Sequence, residues 1–260
     1  VRDRLLHHAI HRRLYPFYDR LFIADSFSCR EGKGVHKALD RFRSMARKAS
    51  RNHTRTCWAL KCDIRKFFAS IDHEVLLSIL SERITDKRFL DLLSRIIGSF
   101  AVIPGKACPE RSRGGLPLGN LTSQLFANIY MDQFDHFMKR FLRAEYYIRY
   151  SDDFIILSHD RERLVSLLPL IQSFLQERLK LMLHPSKVFL QTIASGTDFL
   201  GWVHFPHHRI LRRATKRRMF ERIQAHPEDP TLQSYLGMCS HGDARELSER
   251  VRNERWLWGS

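Results

Sequence analysis

The chain has 260 residues, 43% of them hydrophobic, and carries 44 Lys and Arg against 28 Asp and Glu, a net charge of +16. That content excludes a disordered chain and is enough for one large domain or two modest ones. No apolar run approaches the ~18 residues of a membrane span, and no secretory leader precedes the first periodic segment, so a cytoplasmic location without membrane contact is expected.

In chain order, Leu5, Leu6, Ile10 and Leu14 recur at helical spacing, and Pro16 is expected to end that helix. Residues 26–34 form a glycine-punctuated loop, followed by a basic helix over residues 35–49. Residues 58–64 read as a buried strand that ends at the carboxylate of Asp63, and residues 74–84 and 89–99 as helices. A loop over 104–117 feeds a long helix predicted for 122–142. The clearest hairpin pairs residues 146–150 with 154–157 across the polar turn Ser151-Asp152-Asp153. A helix over 161–179 follows, then strands over 181–190 and 198–205. Beyond Pro206 the composition turns basic and helical, which divides the chain into units at 1–203 and 204–260.

Charge alone leaves open both a solubilising surface and one that binds polyanions. Its distribution is more telling. Residues 1–55 hold 14 basic and 5 acidic side chains, residues 204–260 hold 11 and 7, and the middle holds 19 and 16. Basic flanks around a balanced centre suit a catalytic region between two phosphate-binding ones. Five cysteines with no C-x-x-C pair argue against a disulfide framework and structural zinc.

Asp63, Asp152 and Asp153 each sit at a strand end in apolar surroundings, with no basic residue adjacent to the hairpin pair. Carboxylates so placed call for protonation, water or cations, and oxygen-only ligands select Mg²⁺ or Mn²⁺. An Asp-Asp turn alone is more often structural than catalytic. Its position after a strand ending in Asp and a glycine-bearing loop that feeds a helix favours catalysis. Two ions about 3.5–4 Å apart activate a 3′-hydroxyl and hold a leaving pyrophosphate.

At these residues the chain resembles the reverse transcriptases. Leu60-Lys61-Cys62-Asp63-Ile64-Arg65-Lys66-Phe67-Phe68 looks like motif A, Gly115-Leu116-Pro117-Leu118-Gly119-Asn120-Leu121-Thr122-Ser123-Gln124 like motif B, and Tyr150-Ser151-Asp152-Asp153 like motif C. Lys187 in His184-Pro185-Ser186-Lys187 resembles motif D, and Phe199-Leu200-Gly201-Trp202 the primer-gripping motif E, all in family order. The resemblance implies an α+β right-hand polymerase: an antiparallel-sheet palm packed by helices, partial fingers, and a small helical thumb over 204–260. It implies two Mg²⁺ or Mn²⁺ ions on Asp63, Asp152, Asp153 and the carbonyl of Ile64. The segment Arg65, Lys66 and Phe67 would meet the incoming triphosphate, and Phe68 would pack beneath its sugar to exclude a ribose 2′-hydroxyl. Phe67 and Phe68 are open also to a plain core role. Lys187 would donate a proton to pyrophosphate. Leu118 and Gly119 would face the nascent base pair, with Ser123, Gln124, Tyr150 and the motif E residues on template and primer.

Arg30, Lys33 and Lys37, and then Arg212, Arg213, Lys216, Arg217 and Arg218 on a helix after motif E, are candidate phosphate contacts; a solvated basic face is the alternative. Leu118 and Ser123-Gln124 stand where most of the family has Gln and Ser-Pro, a form similar to the enzymes of diversity-generating retroelements. That subgroup implies error-prone copying opposite adenine, an RNA template, a DNA or RNA primer, dNTPs and an accessory retroelement protein, in a bacterial, archaeal or phage-encoded setting. Rival readings are an enzyme of group II introns or retrons, an inactive nucleic-acid-binding fragment, and a metal-dependent nuclease. The family's basic fingers loop ahead of Val1-Arg2-Asp3-Arg4 is absent from this chain, so these 260 residues alone are expected to polymerise weakly or not at all.

Overall fold

The computed structural model describes residues 2–100, 114–117, 119–226 and 229–258. Helix α1 (Arg2–Tyr18) and helix α2 (Val35–Ala49) precede strand β1 (Trp58–Asp63), which leads into α3 (Phe67–Ser70), α4 (His73–Ser81) and α5 (Lys87–Ser99). Helix α6 (Leu121–His136) continues into a π-helical turn at Phe137–Phe141. Strands β2 (Tyr146–Tyr150) and β3 (Asp153–Ser158) form the hairpin, and α7 (Arg161–Leu179) follows. Then come β4 (Phe189–Thr192), β5 (Thr197–Phe199), β6 (Trp202–His204), β7 (Arg209–Leu211), α8 (Arg213–Ala225), α9 (Asp229–Cys239) and α10 (Arg245–Trp258). Asp72, Asp86 and Asp160 cap α4, α5 and α7 by accepting from N–H groups of the first turn.

Four strands make an antiparallel sheet in the order β2-β3-β1-β4, and β5-β6-β7 make a second. Successive side chains of a strand point to opposite faces. On one face Leu60, Cys62, Tyr147, Phe154 and Ile156 join a core supplied by α1 and α4 to α7. On the other, Ala59, Ile148, Ile155 and Leu157 pack with α2, Phe199, Trp202 and Met219 of α8. This is the mixed architecture with antiparallel sheets that the sequence implied. The last helices seat against Trp202: a Cβ on Gly242 would run into its ring, so only glycine fits there. No helix among the described residues is long and apolar enough to cross a membrane.

Several boundaries differ from the sequence reading. Pro16 lies inside α1, which runs on to Tyr18. Its turn persists because Ile10, Leu14, Tyr15 and Tyr18 are buried around it, whereas Leu5 and Leu6 are exposed. The long helix leaves α-geometry after His136, six residues earlier than predicted. Only the last residues of 181–190 are strand; the rest is coil tied to the β1 end by single bonds. The stretch 198–205 is two short strands folded on each other through Leu200 and Gly201, both at positive φ (50° and 84°). Cys57, Cys62 and Cys239 are buried free thiols and Cys29 an exposed one; Cys108 lies outside the described residues.

Asp132 on α6 has a buried Oδ1 without a hydrogen bond, 3.6 Å from the His136 ring nitrogen. Burial, with repulsion from Asp135, pushes its carboxyl up to about 7. The folded chain therefore holds a proton that the unfolded chain releases, so this group's effect on stability worsens as pH rises from about 4 to about 7, by roughly 2–4 kcal/mol. Asp132→Asn is expected to raise the melting temperature at pH 8 by several degrees and by about a third as much at pH 5, in paired thermal melts.

Candidate active site

Alternation along β1 and β3 puts Lys61, Asp63 and Asp153 on the sheet face that also carries Ala59 and Ile155. Asp63 and Asp153 are direct cross-strand partners, a like-charge pairing that costs stability. Each is met by an ammonium. Lys187 Nζ lies 3.1 Å from both oxygens of Asp63. Lys61 Nζ lies 3.3 Å from Asp153 Oδ2 and donates to the carbonyl of Asp198 at 2.8 Å. Asp153 Oδ1 is buried without a hydrogen-bond partner. Burial pushes Asp153 up to about 6, with Lys61 pulling the other way and Asp63 and Asp152 adding to the rise. Burial likewise raises Asp152, and the charge on Asp63 adds to it.

The backbone fixes this arrangement. Ser151 adopts φ 58° in the hairpin turn, and the Ile64 N–H donates to the Asp152 carbonyl at 3.2 Å. His184 N–H donates to the Asp63 carbonyl at 2.7 Å and Arg65 N–H to that of Met182 at 2.9 Å, which brings the segment bearing Lys187 over the strand end. Lys66 sits in the left-handed region (φ 47°, ψ 42°) and turns the chain into α3. Phe67 is buried at 3% exposure, Phe68 is half-buried, and their rings meet edge-on at 5.3 Å.

The start of the motif B segment is stitched to this turn. Gly115 N–H donates to the Ile71 carbonyl at 2.8 Å and Leu116 N–H to that of Phe68 at 2.7 Å. Gly115 holds φ 99° with the Ala69 backbone 3.4 Å from where a Cβ would be, and the His73 ring nitrogen lies 2.7 Å from its carbonyl. Leu118 lies outside the described residues. Gly119 has φ 93°, Ser123 is buried with an unpartnered Oγ, and Gln124 lines a groove with Arg4, His7, His8 and Phe100.

The basic candidates part company. Arg30 donates to Asp19 Oδ1 at 2.6 Å and to the carbonyls of Ile23, Ser26 and Asp19, which commits it to holding its loop rather than to a phosphate. Half-buried Lys33 donates to the Ala24 carbonyl and exposed Lys37 to that of Gly32. Arg212 reaches Asp198 at 3.0 Å. Arg213, Arg217 and Arg218 are exposed on α8 and Lys216 half-exposed. Phe199 and Trp202 are buried, Leu200 and Gly201 form the turn above them, and half-buried Tyr150 is the β2 partner of Asp153.

The sequence reading missed Lys61 and His73. Lys61 was legible in principle, since two residues before a strand-end Asp is the same face. His73 acts through a contact distant in the chain and left no local signal.

The candidate ligands Asp63, Asp152 and Asp153 offer only carboxylate oxygens, one of them buried without a partner, so their chemistry suits a hard divalent cation. Among the described residues no three His, Cys, Asp or Glu side chains are arranged to hold one ion, and ammonium groups lie on Asp63 and Asp153. A cation at this strand end would have to share these oxygens with Lys61 and Lys187.

A sheet with aspartates at a hairpin and at the facing strand end is the arrangement the sequence led one to expect of a polymerase palm. The chain belongs to the family "Reverse transcriptase (RNA-dependent DNA polymerase)", whose profile it matches over residues 1–204. Protein YkfC of Escherichia coli strain K12 is 24% identical over 263 residues, covering 88% of this chain and 66% of that one. The group II intron-encoded protein LtrA of Lactococcus lactis is 25% identical over 136 residues, covering 52% of this chain and 21% of its own. The chain thus spans less than two thirds of these relatives. Apo telomerase from Candida tropicalis shares the fold with a TM-score of 0.61 at 11% identity, over 90% of this chain and 44% of that one.

Lys61→Met leaves the Asp63–Asp153 pair with less compensation. The variant is expected to melt below the parent in chelator and to regain most of the difference in millimolar Mg²⁺, read by thermal melts with and without metal.

Proposed function

We propose that this chain is the catalytic part of an RNA-directed DNA polymerase that adds dNMPs to a primer 3′-hydroxyl with two bound divalent cations. The observation that carries the reading is the cross-strand pairing of Asp63 with Asp153 beside Asp152, with a buried carboxylate oxygen left unpartnered. Asp63, Asp152, Asp153 and the Ile64 carbonyl would hold the cations, which when bound lower the pKa of the primer hydroxyl and neutralise the leaving pyrophosphate. Arg65, Lys66 and Phe67 line the triphosphate path at the left-handed turn. Phe68 lies beneath the sugar, clamped through its carbonyl to Leu116. Lys187, already on Asp63, is placed to give a proton to pyrophosphate. Phe199 to Trp202 grip the primer, and Arg213, Lys216, Arg217 and Arg218 of a thumb-like unit at 204–260 meet the nucleic-acid backbone. RNA template, DNA or RNA primer and dNTPs are the ligands this assigns.

In the full-length protein, Mg²⁺- or Mn²⁺-dependent extension of a DNA primer on RNA is the direct test. Asp152→Ala should lower the rate at least about 10³-fold, the equivalent of several kcal/mol of lost charge stabilisation. Metal-independent extension, or a variant as active as the parent, rejects the reading.

Two lineages compete for the finer assignment. Leu118 and Ser123-Gln124 favour a diversity-generating retroelement enzyme working with an accessory protein, whereas similarity to LtrA favours a group II intron-encoded one. Glutamine at position 118 would offer the nucleotide a hydrogen bond that leucine cannot. Leu118→Gln is therefore expected to lower misincorporation opposite template adenine, measured by sequencing cDNA; an unchanged error spectrum removes the retroelement argument.

A further inference from the structure

Arg149, in β2 between Ile148 and Tyr150, is a fully buried arginine paired with a fully buried aspartate, both at 0% exposure. Its Nε and Nη2 grip Asp135 of α6 at 2.8 and 2.7 Å, a bidentate pairing that fixes the guanidinium plane. The Tyr147 hydroxyl donates to the same carboxylate at 2.6 Å. The remaining donors reach outward: Nη2 to Ser26 Oγ at 3.0 Å, Nη1 to Asn128 Oδ1 at 3.4 Å, and Nη1 to the carbonyl of Ser151 at 3.0 Å. Ser151 is the left-handed residue immediately before Asp152. The backbone of Arg149 also binds the Asp25 carbonyl and the Phe27 amide, and Asn128 donates to the Ser28 carbonyl at 2.9 Å. One guanidinium therefore touches the helix that follows motif B, the segment leading into the glycine loop, and the turn that carries two of the three aspartates.

Stability is a poor account of this cluster. A buried ion pair is often no more stabilising than apolar side chains of the same volume, because both charges lose their water. What it supplies is a fixed geometry at a strained turn. We infer that Arg149 is a positioning residue, transmitting the placement of α6 and of residues 25–28 to the Ser151-Asp152 turn and so setting where Asp152 and Asp153 meet a cation. The inference rests on the catalytic reading above.

The test uses the full-length protein and Mn²⁺ alone as probe, titrated without nucleic acid and read by electron paramagnetic resonance, together with steady-state primer extension. Arg149→Lys keeps the charge and loses the fork. It is expected to weaken Mn²⁺ binding about tenfold, as loss of an outer partner of a metal site does. It should lower kcat about 100-fold, the effect of displacing a reacting group by about an ångström, with KM for dNTP within about threefold of the parent. The triple variant Asp135→Leu, Tyr147→Phe, Arg149→Met replaces the cluster with apolar volume. It is expected to melt at or above the parent temperature and still show both losses. A folded variant of either kind with parental Mn²⁺ affinity and kcat overturns the inference, and so does failure of both to fold, which leaves a purely structural role. If the parent shows no Mn²⁺ binding sensitive to Asp152→Ala, the catalytic reading fails first and takes the inference with it.

Discussion

Two negative charges facing each other across adjacent strands are the constraint around which this molecule is arranged. Asp63 and Asp153 are held opposite by ladder bonds that neither can escape, and one of the resulting oxygens has no partner. Such a pair persists only where its surroundings supply positive charge or a proton. Here both are in evidence: lysines from two directions, and an Asp153 carboxyl whose proton affinity burial has raised. The sheet provides the rigid frame, with one face filled by the helical core and the other by α2 and the C-terminal helices.

The elements nearest the acids are the most heavily tied. The end of β1 is bonded to the turn of the hairpin, to residues 182–184 on the far side, and through α3 to the segment beginning at Gly114. Single left-handed residues, Lys66 and Ser151, redirect the chain at the points where it would otherwise carry the acids away from each other. Backbone conformations of this kind persist where surrounding contacts over-determine them. The contacts are those of Arg149 for one turn and of the 182–184 segment for the other.

Much of this was readable from the amino acids. Strong local signals gave α2, α7 and the hairpin nearly to the residue, because helical spacing and a polar turn act over a few positions. The ordered motifs identified the family without any tertiary information. Where the reading slipped, distant packing overrode local preference: Pro16 is carried inside a helix by the burial of its neighbours, and residues 181–188 look apolar enough for a strand yet serve as a strap across β1. Arg30 shows the same limit for function. A lone arginine in a glycine loop resembles a phosphate contact, and only the fold reveals that four oxygens of its own chain already occupy it.

Lys61 spans the two sheets, with Asp153 on one side of its ammonium and the Asp198 carbonyl at the entrance of the smaller sheet on the other. A displacement of β5-β6-β7, the strands that carry the Leu200-Gly201 corner, would pull on that ammonium and with it on the charge that offsets Asp153.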